Sequence, residues 1–257
     1  MIDSFKPLPG FLNNRVILIT GASRGIGAEL AKTLAQYGAT VILLARTVSC
    51  LEKIYDEIVK EHLPTPAIYP LNLASASPKD YQELAQSIAS TFDRLDAVIH
   101  NAAHLGTLTP IEHYPAEQWY EVLQVNLNST FLLTQATLPL LKKAPKSSLI
   151  FTTANEGITG KAYWGAYGVS KFGIQGLMQT LAEELEVNTT IRVNAVNPGS
   201  VKTRLRREAY PGENPKPLIQ PTDMMKYYLY LLSETGQEVH DQILNTQQDT
   251  LVMENTN

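Results

Sequence analysis

Short, nearly unbroken apolar runs alternate along the chain with longer stretches in which apolar residues recur every three or four positions. The first kind comprises Arg15-Val16-Ile17-Leu18-Ile19-Thr20 and residues 39–45, 67–71, 95–100, 148–153 and 191–196. Their continuous hydrophobicity and β-branched content predict strands buried on both faces, as in a parallel sheet covered by helices. In the second kind, Ile26, Leu30 and Leu34 stand at i, i+4 and i+8, and Leu51, Ile54 and Ile58 repeat the pattern. Helices are predicted over 26–37, 51–59, 78–93, about 116–143 and about 165–187. This alternation means an α/β fold of the Rossmann type: a doubly wound parallel sheet of about seven strands with helices on both faces and right-handed crossovers. The proline-rich stretch 199–221 reads as a loop excursion, not a linker, so one domain over residues 1–257 is expected.

Composition works mainly by exclusion. The 257 residues carry 21 basic and 25 acidic side chains, a net charge of −4. That balance argues against a nucleic-acid partner. A single cysteine, Cys50, leaves no internal disulfide and no cysteine metal cluster. No apolar run reaches the ~18 residues of a membrane span, and residues 1–7 lack a signal peptide's apolar stretch. A cytoplasmic protein without a membrane partner is expected.

The segment Thr20-Gly21-Ala22-Ser23-Arg24-Gly25-Ile26-Gly27 falls between the first strand and the first helix. Glycines there allow a tight turn and close backbone approach to a pyrophosphate, while the helix N-terminus offers free N–H groups. Strand, turn and helix stand in the order that a dinucleotide site requires. The second strand ends Leu44-Ala45-Arg46, without the carboxylate that binds the ribose hydroxyls of NAD. Arg46, with Arg24 in the turn, offers forked cationic donors to a 2′-phosphate. NADP(H) is therefore expected in preference to NAD(H); two solvated surface arginines are the plainer alternative.

Tyr167 and Lys171 are four apart and share a helix face. An ammonium beside a phenol favours the phenolate and makes tyrosine a usable acid/base. With this pair the chain resembles the short-chain dehydrogenase/reductase family, over nearly its whole length. The resemblance rests on the glycine turn at 20–27, His100-Asn101-Ala102-Ala103, Val125-Asn126-Leu127-Asn128, the Tyr167/Lys171 pair and Asn197-Pro198-Gly199-Ser200-Val201-Lys202-Thr203. It implies that Tyr167 moves the proton, that Lys171 holds the nicotinamide ribose and that Asn126 keeps a water in a proton relay. It also implies cofactor contacts from Gly21, Ser23, Arg24, Gly25, Ile26 and Gly27 in the turn and from Arg46. Further on, Asn72 and Leu73, Asn101 and Ala102, and Pro198, Gly199, Val201 and Thr203 would complete the cofactor cleft.

Three positions depart from the family. Ala154 stands where a serine usually polarises the substrate oxygen, a loss of about 10²–10³ in rate; Thr153, Asn155 or a water is left to supply the donor. Asn72 replaces an aspartate at the adenine. Ala103 replaces a glycine and would be strained if its φ were positive. No metal is expected, because His100, His104 and His113 lack a completing ligand set. Lys202, Arg204, Arg206 and Arg207 read as a solvated helix face, or else as an attractor for an anionic substrate. Gly168, Gly173 and Gly176 within one helix point to close packing, and the family commonly pairs subunits there, so a homodimer or homotetramer is expected.

The function that follows is an NADP(H)-dependent oxidoreductase interconverting a small-molecule carbonyl and alcohol, with Tyr167, Lys171, Asn126 and Thr153 as catalytic residues. The alternative is a dinucleotide-binding protein of impaired catalysis, resting on Ala154.

Overall fold

In the computed structural model, which describes residues 2–247, a seven-stranded parallel sheet runs through the molecule. The strands are β1 (Val16–Thr20), β2 (Thr40–Ala45), β3 (Ala67–Pro70), β4 (Ala97–His100), β5 (Ser147–Thr152), β6 (Ile191–Asn197) and β7 (Gln242–Asn245), in the order β3-β2-β1-β4-β5-β6-β7. The order reverses between β1 and β4, and that switch opens a crevice at the carboxyl ends of the strands.

Side-chain alternation builds two cores. Ile17, Ile19, Val41 and Leu43 point to the face covered by α1 (Gly25–Gln36), α2 (Val48–Lys60) and α8 (Met225–Leu232). Leu18, Ile42, Leu44 and Val98 point to the other, under α3 (Pro78–Phe92), α5 (Ser129–Leu141) and α6 (Gly165–Glu186). Each fully buried aliphatic side chain contributes roughly 1.5–3 kcal/mol.

The stretch expected as one helix near 116–143 is instead α4 (Ala116–Leu123), a π-helical turn (Gln124–Asn128) and α5. The widened turn seats Asn126, which is fully buried, and such bulges recur at functional sites. The excursion at 199–221 also holds structure: α7 (Arg204–Ala209), capped by the Thr203 hydroxyl, and an isolated parallel bridge from Val201 to Ile219. Six residues are too few for a helical period to be read from sequence.

Candidate active site

A cleft of about 500 Å³ opens at the switch point. The glycine turn forms one side. Gly21 and Gly25 have positive φ, at 67° and 54°, which glycine adopts without strain. Gly27 is buried behind them; a Cβ there would lie 2.3 Å from the Gly21 carbonyl oxygen. The residue preceding α1, Arg24, is extended and offers no side-chain cap, so the helix's first N–H groups remain available to an anion. Thr20 fastens this turn to the end of β4. Its hydroxyl accepts from the backbone N–H groups of Asn101 and Ala102, each at 3.0 Å, and its carbonyl accepts from the Asn101 amide at 3.0 Å.

Ser23, Arg24, Gly25 and Ile26 line the cleft, as do Arg46, Asn72 and Leu73 on its outer reach and Asn101 and Ala102 on its floor. Pro198, Gly199, Val201 and Thr203 close the opposite wall; Gly199 sits at a φ of 62°. Arg24 and Arg46 are both exposed at the cleft edge. Asn72 spends part of its acceptor capacity internally, its Oδ1 taking the Ala74 N–H at 3.3 Å. Ala103 does not have a positive φ, so the strain considered for it is absent.

The other half of the cleft holds Tyr167 and Lys171, both buried, one turn apart on α6. Lys171 Nζ donates to the Thr152 carbonyl at 2.8 Å and lies 5.5 Å from the centre of the Tyr167 ring. Burial holds the Lys171 ammonium down, to a pKa of about 8, against the pull of the Glu156 carboxylate. Burial, assisted by Glu156, pushes the Tyr167 phenol up. The direction is thus opposite to the acidification expected from Lys171: burial of the phenol and the Glu156 carboxylate both favour the neutral form in the protein alone.

Asn126 lies beneath the cleft wall, not on it. Its amide takes the His104 N–H at 2.7 Å and donates to the His104 carbonyl and the Ser170 hydroxyl at 3.0 and 2.9 Å. It ties the loop after β4 to α6 and so positions the helix that carries the tyrosine–lysine pair. Thr153 borders the cleft but is buried, and its hydroxyl accepts from the Gln175 amide at 3.1 Å. The Asn155 oxygen accepts from Asn197 at 2.7 Å. At Ala154 the wall is apolar, packed with Leu105, Trp164 and Tyr167.

Several cleft residues were not anticipated from sequence, among them Glu156, Trp164, Leu105 and Leu205. Half of the basic cluster is neutralised from within: Arg204 meets Glu208 at 2.5 Å, and Arg206 forms a fork on Glu213 at 2.6 and 2.7 Å. His100 is buried, bonded to the Thr134 hydroxyl at 2.9 Å and stacked on Phe151; burial pushes its pKa down to about 3. Among the described residues no group of three or more His, Cys, Asp or Glu is placed to hold a metal ion. Nor is any helix there long and apolar enough to cross a membrane.

A doubly wound parallel sheet, a glycine turn at its switch point and a buried tyrosine–lysine pair facing that turn define a Rossmann-like protein of the oxidoreductase kind. Residues 15–214 match the short chain dehydrogenase family, and the chain belongs to it. It is 45% identical over 230 residues to the uncharacterized oxidoreductase YciK of Escherichia coli K12, covering 90% of each chain. A short chain dehydrogenase from Pseudomonas syringae superposes with a TM-score of 0.93 at 47% identity, over 95% of this chain and 99% of that one. A further one, from Escherichia coli CFT073 and solved with NADPH, gives 0.91 at 44% identity, over 94% and 100%.

Proposed function

We propose that this single-domain protein is an NADP(H)-dependent oxidoreductase that interconverts a carbonyl compound and an alcohol, with Tyr167 as general acid/base. The observation that carries this reading is that Tyr167 and Lys171 open into the same cleft as the glycine turn and Arg46. The turn fits a dinucleotide on its own geometry: Gly21 and Gly25 line the cleft at positive φ, Gly27 lets the helix close on the Gly21 carbonyl where a Cβ would collide, and the helix N–H groups are uncapped. Arg24 and Arg46 suit the extra phosphate of NADP(H), and the similar Escherichia coli protein solved with NADPH supports that preference.

A bound nicotinamide dinucleotide supplies or takes up the hydride. Tyr167 donates the proton at its phenol oxygen during reduction and accepts it during oxidation. Lys171, anchored on Thr152, places a positive charge beneath the phenol and stabilises its transient anion. With the phenol raised by burial, Tyr167 stands protonated at neutral pH, the state that reduction needs. Asn126 keeps α6 in register with the cleft. Ala154 leaves the substrate oxygen without the usual hydroxyl donor, so Thr153, the Asn155 amide nitrogen or a water supplies that bond. Thr153 accepts from Gln175 at 3.1 Å and keeps its own hydroxyl proton to donate.

The exposed apolar side chains Tyr120, Phe131, Val169 and Phe172, on the helices around the π turn and on α6, support association with a second copy of this chain.

Tyr167→Phe and Arg46→Ala test the reading. The first lowers carbonyl turnover by about 10²–10⁴ while NADPH still binds. The second weakens NADPH by about 10- to 100-fold, as expected for a lost charge-assisted contact, and leaves NADH nearly unchanged. Full activity in Tyr167→Phe sinks the proposal.

A further inference from the structure

Glu156 is the acidic side chain that the cleft holds nearest to its tyrosine–lysine pair in chain order, two residues beyond Ala154. Its side chain is only 12% exposed, it lines the cleft together with Tyr167, Lys171 and Trp164, and its negative charge acts on both Tyr167 and Lys171. The turn that carries it is fixed. The Gly157 N–H bonds the Ala154 carbonyl at 2.9 Å and the Thr159 N–H bonds the Asn155 carbonyl at 3.1 Å. Gly157 is pressed so closely on α6 that a Cβ would lie 2.9 Å from the Lys171 backbone. The carboxylate therefore cannot retreat by shifting its backbone.

Of the cations around it, only the half-exposed Lys161 pairs with it, and the others are bonded first to different partners. Lys171 is bonded to Thr152 at 2.8 Å. Arg206 is forked onto Glu213 at 2.6 and 2.7 Å, and Arg204 is held by Glu208 at 2.5 Å. Lys161 stands 3.8 Å from Glu156, is itself 50% exposed and also binds the Tyr210 hydroxyl. On the far side, His104 faces Glu121 at 4.0 Å, so that wall adds no free positive charge. The rest of this half of the cleft is apolar: Leu105, Ala154, Trp164, Leu205 and Ala209.

We propose that Glu156 is the specificity-determining charge of the substrate chamber, turning away anionic carbonyl compounds such as keto acids and admitting uncharged ones with a compact apolar body. This rests on the reading that the cleft beside Tyr167 receives the carbonyl substrate. A carboxylate brought within ~6 Å of Glu156 in a partly screened site meets a repulsion worth about 10- to 100-fold in binding.

The test uses two probes of nearly equal size, para-formylbenzoate and its methyl ester. Dissociation constants are measured by ligand-observed NMR on the full chain with saturating NADP⁺, and turnover is measured with NADPH. In the wild type the ester is preferred at least tenfold. Glu156→Gln narrows that ratio at least tenfold, and Glu156→Asp, which keeps the charge, preserves most of it. A ratio unchanged in Glu156→Gln, a wild type that prefers the acid, or binding of neither probe overturns the proposal. Binding in the stated order without turnover upholds the charge filter and sinks the oxidoreductase reading alone. Turnover of both probes at equal efficiency does the reverse.

Discussion

Replacing Gly27 by alanine sets two known effects against each other. In a helix interior alanine is favoured over glycine by about 1 kcal/mol, and Gly27 lies within α1, which runs from Gly25 to Gln36. The added Cβ, however, would lie 2.3 Å from the Gly21 carbonyl oxygen and 2.6 Å from the Asn101 amide nitrogen. Normal separations are about 3.5 Å, so the turn must retreat by roughly 1 Å. It has little freedom to do so, because Gly21 already sits at a φ of 67° and Asn101 is bonded to Thr20 at 3.0 Å. Overpacking of this kind costs about 1–3 kcal/mol, which leaves a net loss of roughly 1 kcal/mol and a Tm lower by about 2–4 °C for a chain of this size. The loss in NADPH affinity should be larger, because Gly21 lines the cleft and a misplacement of about 1 Å at a binding turn costs up to ~10²-fold. Gly173→Ala is the matched control: there the near atom is the Leu127 Cδ2 at 2.8 Å, the end of a side chain that can rotate. Helix propensity then decides, and that variant is neutral or stabilised by up to ~1 kcal/mol. Urea unfolding and NADPH titration of both variants check this. A Gly27→Ala protein as stable as Gly173→Ala, with wild-type affinity for NADPH, refutes the cradle.

Other outcomes follow from the same geometry. Burial depresses Lys171 from 10.5 to about 8, so between those values the unfolded chain binds the extra proton and stability rises with pH; below pH 8 the full penalty is present. Unfolding free energies of wild type and Lys171→Met across this window should converge upward in pH, while carbonyl reduction in the wild type falls above pH 8 as the ammonium is lost; parallel stability curves contradict the assignment. Ala154→Ser restores a hydroxyl beside Tyr167 and raises kcat for carbonyl reduction by about tenfold or more; an unchanged kcat means that Thr153, Asn155 or a water already supplies the donor. Phe172→Glu places a charge on the apolar face of α6, where Phe172 is 45% exposed. Sedimentation should then show a smaller species than the wild type, and identical profiles exclude that face as the contact between copies.

The strands and the cradle were legible because their signals are local. Val16–Thr20 is apolar throughout since both faces of a central parallel strand are buried, and the glycine turn stands directly between that strand and its helix. What escaped was set by distance in sequence or by neutralising partners. Asn126 is reached through the family resemblance, but the π-helical turn that seats it, Gln124–Asn128, reads as ordinary helix, and its bonds run to His104 and Ser170, 22 and 44 residues away. Arg206 reads as a free cation until Glu213 is found forked onto it. The tyrosine–lysine spacing is local and was read correctly as one helix face, yet its electrostatics depend on enclosure, which no spacing reports: burial raises Tyr167 and lowers Lys171. Glu156 is the sharpest instance. In sequence it is an acidic residue in a turn, where solvation is the default. Only the packing of Gly157 against Lys171 holds it in the cleft, with the half-exposed Lys161 as its ion-pair partner, so a reading of substrate class from motifs alone passes over this residue.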